Sequence, residues 1–257
     1  MMKEPNQNFK EQALSFIGCD GGNLEAPLWF CGLEWGLKGT GQQIDTNESE
    51  NPEDYQTPTA WRKWQKEDKN KEYFGNVPAL DQKIAWFYYM YYQKTDSKGY
   101  GIDNRKDDYF KLLEQEKIGH LDGPIFKLNM YPVCFSSRQV VAQNIDKLNR
   151  FTGLNGFDEY RELVVELRGE YFRKLVDQYN PKLIICLGLL EKDRFIRFFT
   201  NQKKSREFCE EDLKVYYTKM ANGTTVCVVP FFGGRHGINS FAKMKALTEC
   251  IKQIEKL

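Results

Sequence analysis

The chain has 257 residues, with 37 basic and 36 acidic side chains for a net charge of +1, 41% hydrophobic residues, 14% aromatic residues and a mean hydropathy of −0.63. This balance excludes a disordered or membrane-embedded polypeptide, because it pairs enough apolar mass for a core with a large polar surface, and no apolar run approaches the roughly 18 residues that span a bilayer. It also removes any global pull toward polyanions, so contact with phosphates has to come from a local basic surface.

The length suits one α/β domain over residues 1–257, since a sheet flanked by helices routinely uses that much chain as a single unit. The start, Met1-Met2-Lys3-Glu4-Pro5-Asn6-Gln7-Asn8, lacks the basic-then-apolar plan of a secretory signal, which makes the cytoplasm the expected location. Seven cysteines (Cys19, Cys31, Cys134, Cys186, Cys209, Cys227 and Cys250) stand singly, several within apolar runs where a reduced thiol acts as a small hydrophobe. No two have the close spacing with which thiolates share zinc or an iron–sulfur cluster, so neither a disulfide framework nor a metal centre is expected.

In chain order, Ala26–Cys31 is a short apolar run that ends in Gly32-Leu33-Glu34-Trp35-Gly36, the pattern of a buried strand stopped by a glycine-bearing turn. The polar stretch from Lys38 to Pro58 has no periodicity and reads as a long surface loop. Ala79 to Tyr92 reads as an aromatic helix buried on more than one side. Ile125–Met130 forms a second strand after Gly123-Pro124. Phe157 to Tyr179 carries a helical stripe, Lys182–Gly188 is an apolar strand of the parallel-sheet type, and Leu190 to Phe199 is a helix. Lys214–Thr218 and Thr225–Pro230 flank the hairpin signal Asn222-Gly223, and a final helix runs from Phe241 to Ile254. Strands alternating with helices predict a mainly parallel sheet covered on both faces, with ligands beyond the carboxyl ends of its strands. The site is therefore expected where the loop after Pro27–Cys31 meets the loop after Val226–Phe231.

Three strand ends carry unusual residues. Glu34 lies between Gly32 and Gly36, where the backbone can approach a ligand closely; a surface or capping carboxylate is the competing reading. Asn129 ends the second strand, where it either faces a ligand or turns the chain into Tyr131-Pro132. Arg235 and His236 sit in Gly233-Gly234-Arg235-His236-Gly237, a loop unlike packed core, with a solvated loop histidine as the alternative. His120, the other histidine, has no comparable setting and is read as structural.

Together these positions resemble the uracil-DNA glycosylase superfamily. Leu28–Cys31 followed by Gly32-Leu33-Glu34-Trp35-Gly36 is similar to its first strand and turn, with Glu34 in place of Asp or Asn and Trp35 in place of proline. Asn129 falls where that superfamily has an asparagine that reads a pyrimidine edge, and Pro181–Gly188 resembles its third strand. Phe231–His236 resembles the basic segment after its DNA-inserting loop, although the histidine-proline-serine signature is absent. The resemblance spans roughly Ala26 to Lys256. It implies a three-layer α/β sandwich around a mainly parallel four-stranded sheet, and a glycosylase that needs no cofactor and acts on a deaminated or modified base.

In that reading Glu34 and His236 are catalytic, while Gly32, Trp35, Phe74 and Asn129 bind the flipped base. Base cleavage leaves positive charge on the sugar and negative charge on the base, so Glu34 faces the first, and His236 or Arg235 the second. Asn129 offers a donor and an acceptor, and Phe74, with Trp35 as second choice, supplies a stacking ring. Gly233, Gly234, Arg235 and Lys243, with Lys245 nearby, are expected to contact DNA. Trp61-Arg62-Lys63-Trp64 interleaves rings and cations as base-binding surfaces do, or forms an exposed helix balanced by Glu67 and Asp68. The alternative function is a non-catalytic DNA- or nucleotide-binding relative. An unrelated hydrolase or transferase is disfavoured by the lack of a phosphate loop, a nucleophile elbow or a dinucleotide motif. The sequence leaves the oligomeric state open.

Overall fold

A computed structural model describes residues 4–33, 44, 46, 48–59, 79–92, 115–135, 137–210 and 213–257 of the chain. In chain order its elements are α1 (Gln7–Ala13), β1 (Gly21–Gly22), β2 (Leu28–Gly32), a 3-10 turn (Pro52–Tyr55), α2 (Ala79–Tyr92), β3 (Ile125–Asn129), α3 (Arg138–Gln143) and α4 (Ile145–Thr152). There follow α5 (Phe157–Tyr179), β4 (Leu183–Leu187), a second 3-10 turn (Leu189–Glu191), α6 (Lys192–Thr200), β5 (Arg206–Glu210), β6 (Leu213–Lys219), β7 (Thr225–Val229) and α7 (Phe241–Lys256).

The strands form one mixed sheet in the order β1-β3-β2-β4-β7-β6-β5. β2 pairs in parallel with β3 on one side and β4 on the other, and β4 pairs in parallel with β7. These four carry the apolar runs, as expected of strands covered on both faces. Side chains alternate across them. Trp29, Cys31, Phe126, Leu128, Ile184, Cys186, Val226 and Val228 enter a core shared with α5 and α6. Leu28, Phe30, Ile125, Leu183, Ile185, Leu187, Cys227 and Val229 enter a second core shared with α2 and α7.

Among the described residues the sheet has seven strands, not the four that the resemblance implies. The hairpin at Asn222-Gly223 adds β6 antiparallel to β7, and β5 extends it. β5, Arg206-Glu207-Phe208-Cys209-Glu210, is a polar edge strand with little apolar patterning to betray it. At the other edge β1 is two glycines, which have no side chains from which a period could be read. The helix expected from Leu190 begins instead as a 3-10 turn and becomes α-helical at Lys192.

One buried cation fastens the amino-terminal segment to this frame. Arg168, in the middle of α5, is fully buried. Its Nη1 donates to the carbonyls of Gln12, Ala13 and Ser15, at 3.4, 3.2 and 2.9 Å. Its Nη2 donates to the Ile17 carbonyl at 2.8 Å, the Cys19 sulfur at 3.2 Å and the Asn129 carbonyl at 3.5 Å. Burial pushes the Cys19 thiol up to about 11, against the pull of this guanidinium, so Cys19 stays protonated. The guanidinium therefore replaces its lost hydration with a ring of carbonyl dipoles and also ties them to β3.

Arg168→Met keeps the apolar stem and removes every one of these donors. Leaving several buried carbonyls without them is expected to cost at least about 3 kcal/mol. Urea unfolding monitored by tryptophan fluorescence checks this, together with faster proteolysis between residues 12 and 20; an unchanged unfolding midpoint would contradict it.

Candidate functional site

The order of the parallel strands places a topological switch point at their carboxyl ends. β2 lies between β3 and β4, and the chain leaving β2 reaches β3 by way of α2 on one face. The chain leaving β4 reaches β7 by way of α6 on the opposite face. Connections that diverge to opposite faces leave a crevice between the strands they start from. The described residues at this switch point are the ends of β2 and β3, the Gly188–Glu191 turn after β4, and the loop after β7.

At the β2–β3 end the backbone pairing runs past the strands, with Met130 N–H donating to the Gly32 carbonyl and Tyr131 N–H to that of Leu33. Gly32 and Asn129 are register partners. A Cβ on Gly32 would lie 2.4 Å from Asn129 Oδ1, so the strand has to end in glycine for the amide to fold over it. Asn129 is buried, and its Nδ2 donates to the Gly18 carbonyl at 2.8 Å and to Asp20 Oδ2 at 3.3 Å. Both donors are thus directed into the protein. The amide oxygen, not the donor-and-acceptor pair expected from the sequence, is what lies over the end of β2.

Behind Asn129 is a group of charges. Lys127, two residues earlier on the same face of β3, contacts Asp81 Oδ1 of α2 at 2.9 Å and Asp20 Oδ1 at 3.3 Å. Burial raises the Asp20 pKa; the Lys127 ammonium opposes the rise and the Asp81 carboxylate adds to it. For Lys127 burial works downward, but the two carboxylates outweigh it and hold the ammonium above its ordinary value. Asp20 is the accessible member, with about a quarter of its side chain exposed: 25%.

The loop after β7 reaches the same region from the other side. Phe232 anchors it, fully buried against Phe30 of β2 and Phe87 of α2. The Phe231 carbonyl accepts from both Gly233 and Ile238 N–H groups, at 2.8 and 2.9 Å. This folds the loop so tightly that a Cβ on Gly237 would meet the carbonyl oxygens of Gly233 and Phe231 at 2.0 and 2.2 Å. Two lysines fasten it: Lys83 of α2 donates to the Ile238 carbonyl at 2.9 Å, and Lys243 of α7 to that of Gly237 at 3.4 Å. Burial lowers the Lys83 pKa. Arg235 and His236 stand exposed on this loop. Phe231 is half exposed, and Leu190, beside the end of β4, is almost wholly so. The turn bearing Leu190 is held by the buried Glu191, which pairs with Arg161 and Arg194.

The sequence-predicted residues therefore divide three ways. Asn129 and Gly32 touch. Gly233, Gly234, Arg235, His236 and Lys243 form or brace one loop, linked to the Asn129 group through α2, which sends Asp81 to one and Lys83 to the other. Glu34, Trp35, Phe74 and the Trp61–Trp64 stretch lie outside the described residues. His120 lies in the turn before β3, at the opposite end of that strand. Sequence reasoning missed Asp20, Asp81 and Lys127, although a lysine inside an otherwise apolar strand is a signal that a counter-charge has to be found. The chain matches no protein-family model and no curated protein.

Lys127→Met would take the shared cation from Asp81 and the partly buried Asp20, at an expected cost of about 3 kcal/mol near neutral pH. Burial already raises the Asp20 pKa in the fold, and protonation relieves the repulsion that the variant leaves, so the penalty shrinks as pH falls. Urea midpoints of wild type and variant should accordingly lie closer together near pH 4.5 than near pH 7.5; a gap that widened on acidification would refute the arrangement.

Proposed function

We propose that the crevice receives a nucleobase turned out of DNA, and that the chain is a DNA glycosylase that hydrolyses the bond between a deaminated or modified base and its deoxyribose. The observation that carries this is the Asn129 amide oxygen lying over Gly32 at a strand-switch crevice, at the end of the second parallel strand. A block of four parallel strands, covered by helices on both faces within the larger mixed sheet, supports the uracil-DNA glycosylase-like reading of the fold.

In this reading Asn129 Oδ1 accepts from an N–H of the base. Glu34, one residue beyond the paired Leu33, is the carboxylate that faces positive charge developing on the sugar or aligns the attacking water. Water adds at the anomeric carbon as the glycosidic bond breaks, and the departing base takes up a proton. Arg235 and His236 face the charge on that base, and Phe74 or Trp35 stacks on its ring. The exposed Phe231 and Leu190 suit the wedge role by which apolar side chains occupy the gap left by an extruded nucleotide. A second reading, a non-catalytic DNA- or nucleotide-binding protein, is favoured by one feature: both Asn129 donors are spent inside the protein.

The test is strand scission at abasic sites, on single- and double-stranded oligonucleotides that carry a panel of deaminated, alkylated and oxidised bases. Scission at one class of base is expected, reduced about 10²–10⁴-fold in Glu34→Gln and at least about tenfold in Asn129→Ala. Tight DNA binding without scission would favour the second reading. Neither binding nor scission would overturn both.

A further inference from the structure

The polar group behind Asn129 does more than fill space. An asparagine amide is ambiguous by nature, since a half-turn about its last bond exchanges donor for acceptor. At Asn129 that ambiguity is removed: one Nδ2 hydrogen goes to the Gly18 carbonyl and the other to Asp20 Oδ2, while Oδ1 lies over Gly32. A flipped amide would set its oxygen against a carbonyl oxygen and a carboxylate, neither of which can donate. Asp20 is in turn held by Lys127, which also contacts Asp81.

We propose that Asp20 is a specificity-determining positioning residue: it locks Asn129 as a pure hydrogen-bond acceptor, so that the crevice selects ligands presenting an N–H at that point and does not read a carbonyl there. The proposal rests on the nucleobase reading above for the identity of its ligand, but the locked amide is a property of the protein itself. The chemical class selected is a lactam or amino base whose pairing edge carries a hydrogen. A base methylated at that nitrogen offers Asn129 Oδ1 a methyl group and leaves the buried oxygen without a partner. The Lys127 ammonium opposes the burial-driven rise of the Asp20 pKa and so favours the carboxylate, the form that accepts from Asn129, and the missing side chain at Gly32 leaves room for the amide oxygen at the end of β2.

Two variants separate positioning from mere support. Asp20→Asn retains an oxygen that can accept from Asn129, whereas Asp20→Ala retains none. The side-chain amide protons of Asn129, followed by hydrogen exchange in ¹⁵N NMR spectra, should be protected in the wild type and in Asp20→Asn and lose protection in Asp20→Ala. In oligonucleotide cleavage, or in binding if no cleavage occurs, the wild type should prefer the uracil-containing strand over its cytosine counterpart, whose ring nitrogen at that point is an acceptor, at least about tenfold. That ratio should persist in Asp20→Asn and fall toward one in Asp20→Ala, whereas a purely structural role would lower both substrates alike and leave the ratio unchanged. Exchange-labile Asn129 protons in the wild type, or an undiminished ratio in folded Asp20→Ala, would overturn the proposal. Protected protons with no recognition of any base would uphold the locked amide and overturn the nucleobase reading instead. Should Asp20→Ala fail to fold, an Asp20→Leu variant, which also lacks an acceptor but fills the volume, carries the same comparison, and loss of folding in both would overturn the assignment of a positioning role.

Discussion

The constraint on which the site depends is the burial of Arg168. A guanidinium cannot shed its charge, so taking it out of water is tolerable only if dipoles replace the hydration shell. Here they come from the backbone between Gln12 and Ile17, together with Asn129. The last residues of α1 and the irregular segment after it are thereby set against β3. Gly18 and Asp20 follow directly, so the two acceptors that fix the Asn129 amide are delivered by the same clamp. The orientation of one side chain at the crevice is thus traceable to a cation in the middle of a helix on the far face of the sheet.

The Asp20–Lys127–Asp81 group looks costly by the same standard. Three charges at the edge of an apolar core lose hydration, and that burial, with a smaller push from the Asp81 carboxylate, raises the Asp20 pKa against the pull of Lys127. An apolar trio of similar volume would serve stability at least as well. What apolar side chains cannot do is define which end of an amide faces outward. The arrangement is economical only if the direction of that hydrogen bond matters.

How much of this was legible in the sequence follows from the range of the interactions. Apolar runs such as Leu183–Leu187, the stripe of α5 and the turn at Asn222-Gly223 are local signals, and they became the elements they suggested. The place of Asn129 at the end of β3 was legible too, because an amide is conspicuous where an apolar strand stops. Its orientation was not, since the acceptors that determine it come from 109 and 111 positions away. Lys127 and Asp81 are 46 positions apart, and neither hints at the other. The edge strand β5 escaped for a different reason: only Phe208 among its residues packs against a core, too little to impose a period of two.

The first turn of α2 joins the two sides of the crevice. Asp81 meets the charge group behind Asn129, and Lys83, two residues on, holds the Ile238 carbonyl of the loop that carries Arg235 and His236. Residues two apart on a helix point in different directions, which is how one short stretch of backbone braces walls on either side of it. The loop has little freedom of its own, because Phe232 is sunk between Phe30 and Phe87 and Gly237 packs on neighbouring carbonyls. Any shift of the amino-terminal end of α2 therefore displaces both walls together. The distance between the Asn129 group and the loop after β7 is thus set by a helix seated on the core, and Arg235 and His236 at the loop tip are the exposed side chains that this bracing leaves at the surface.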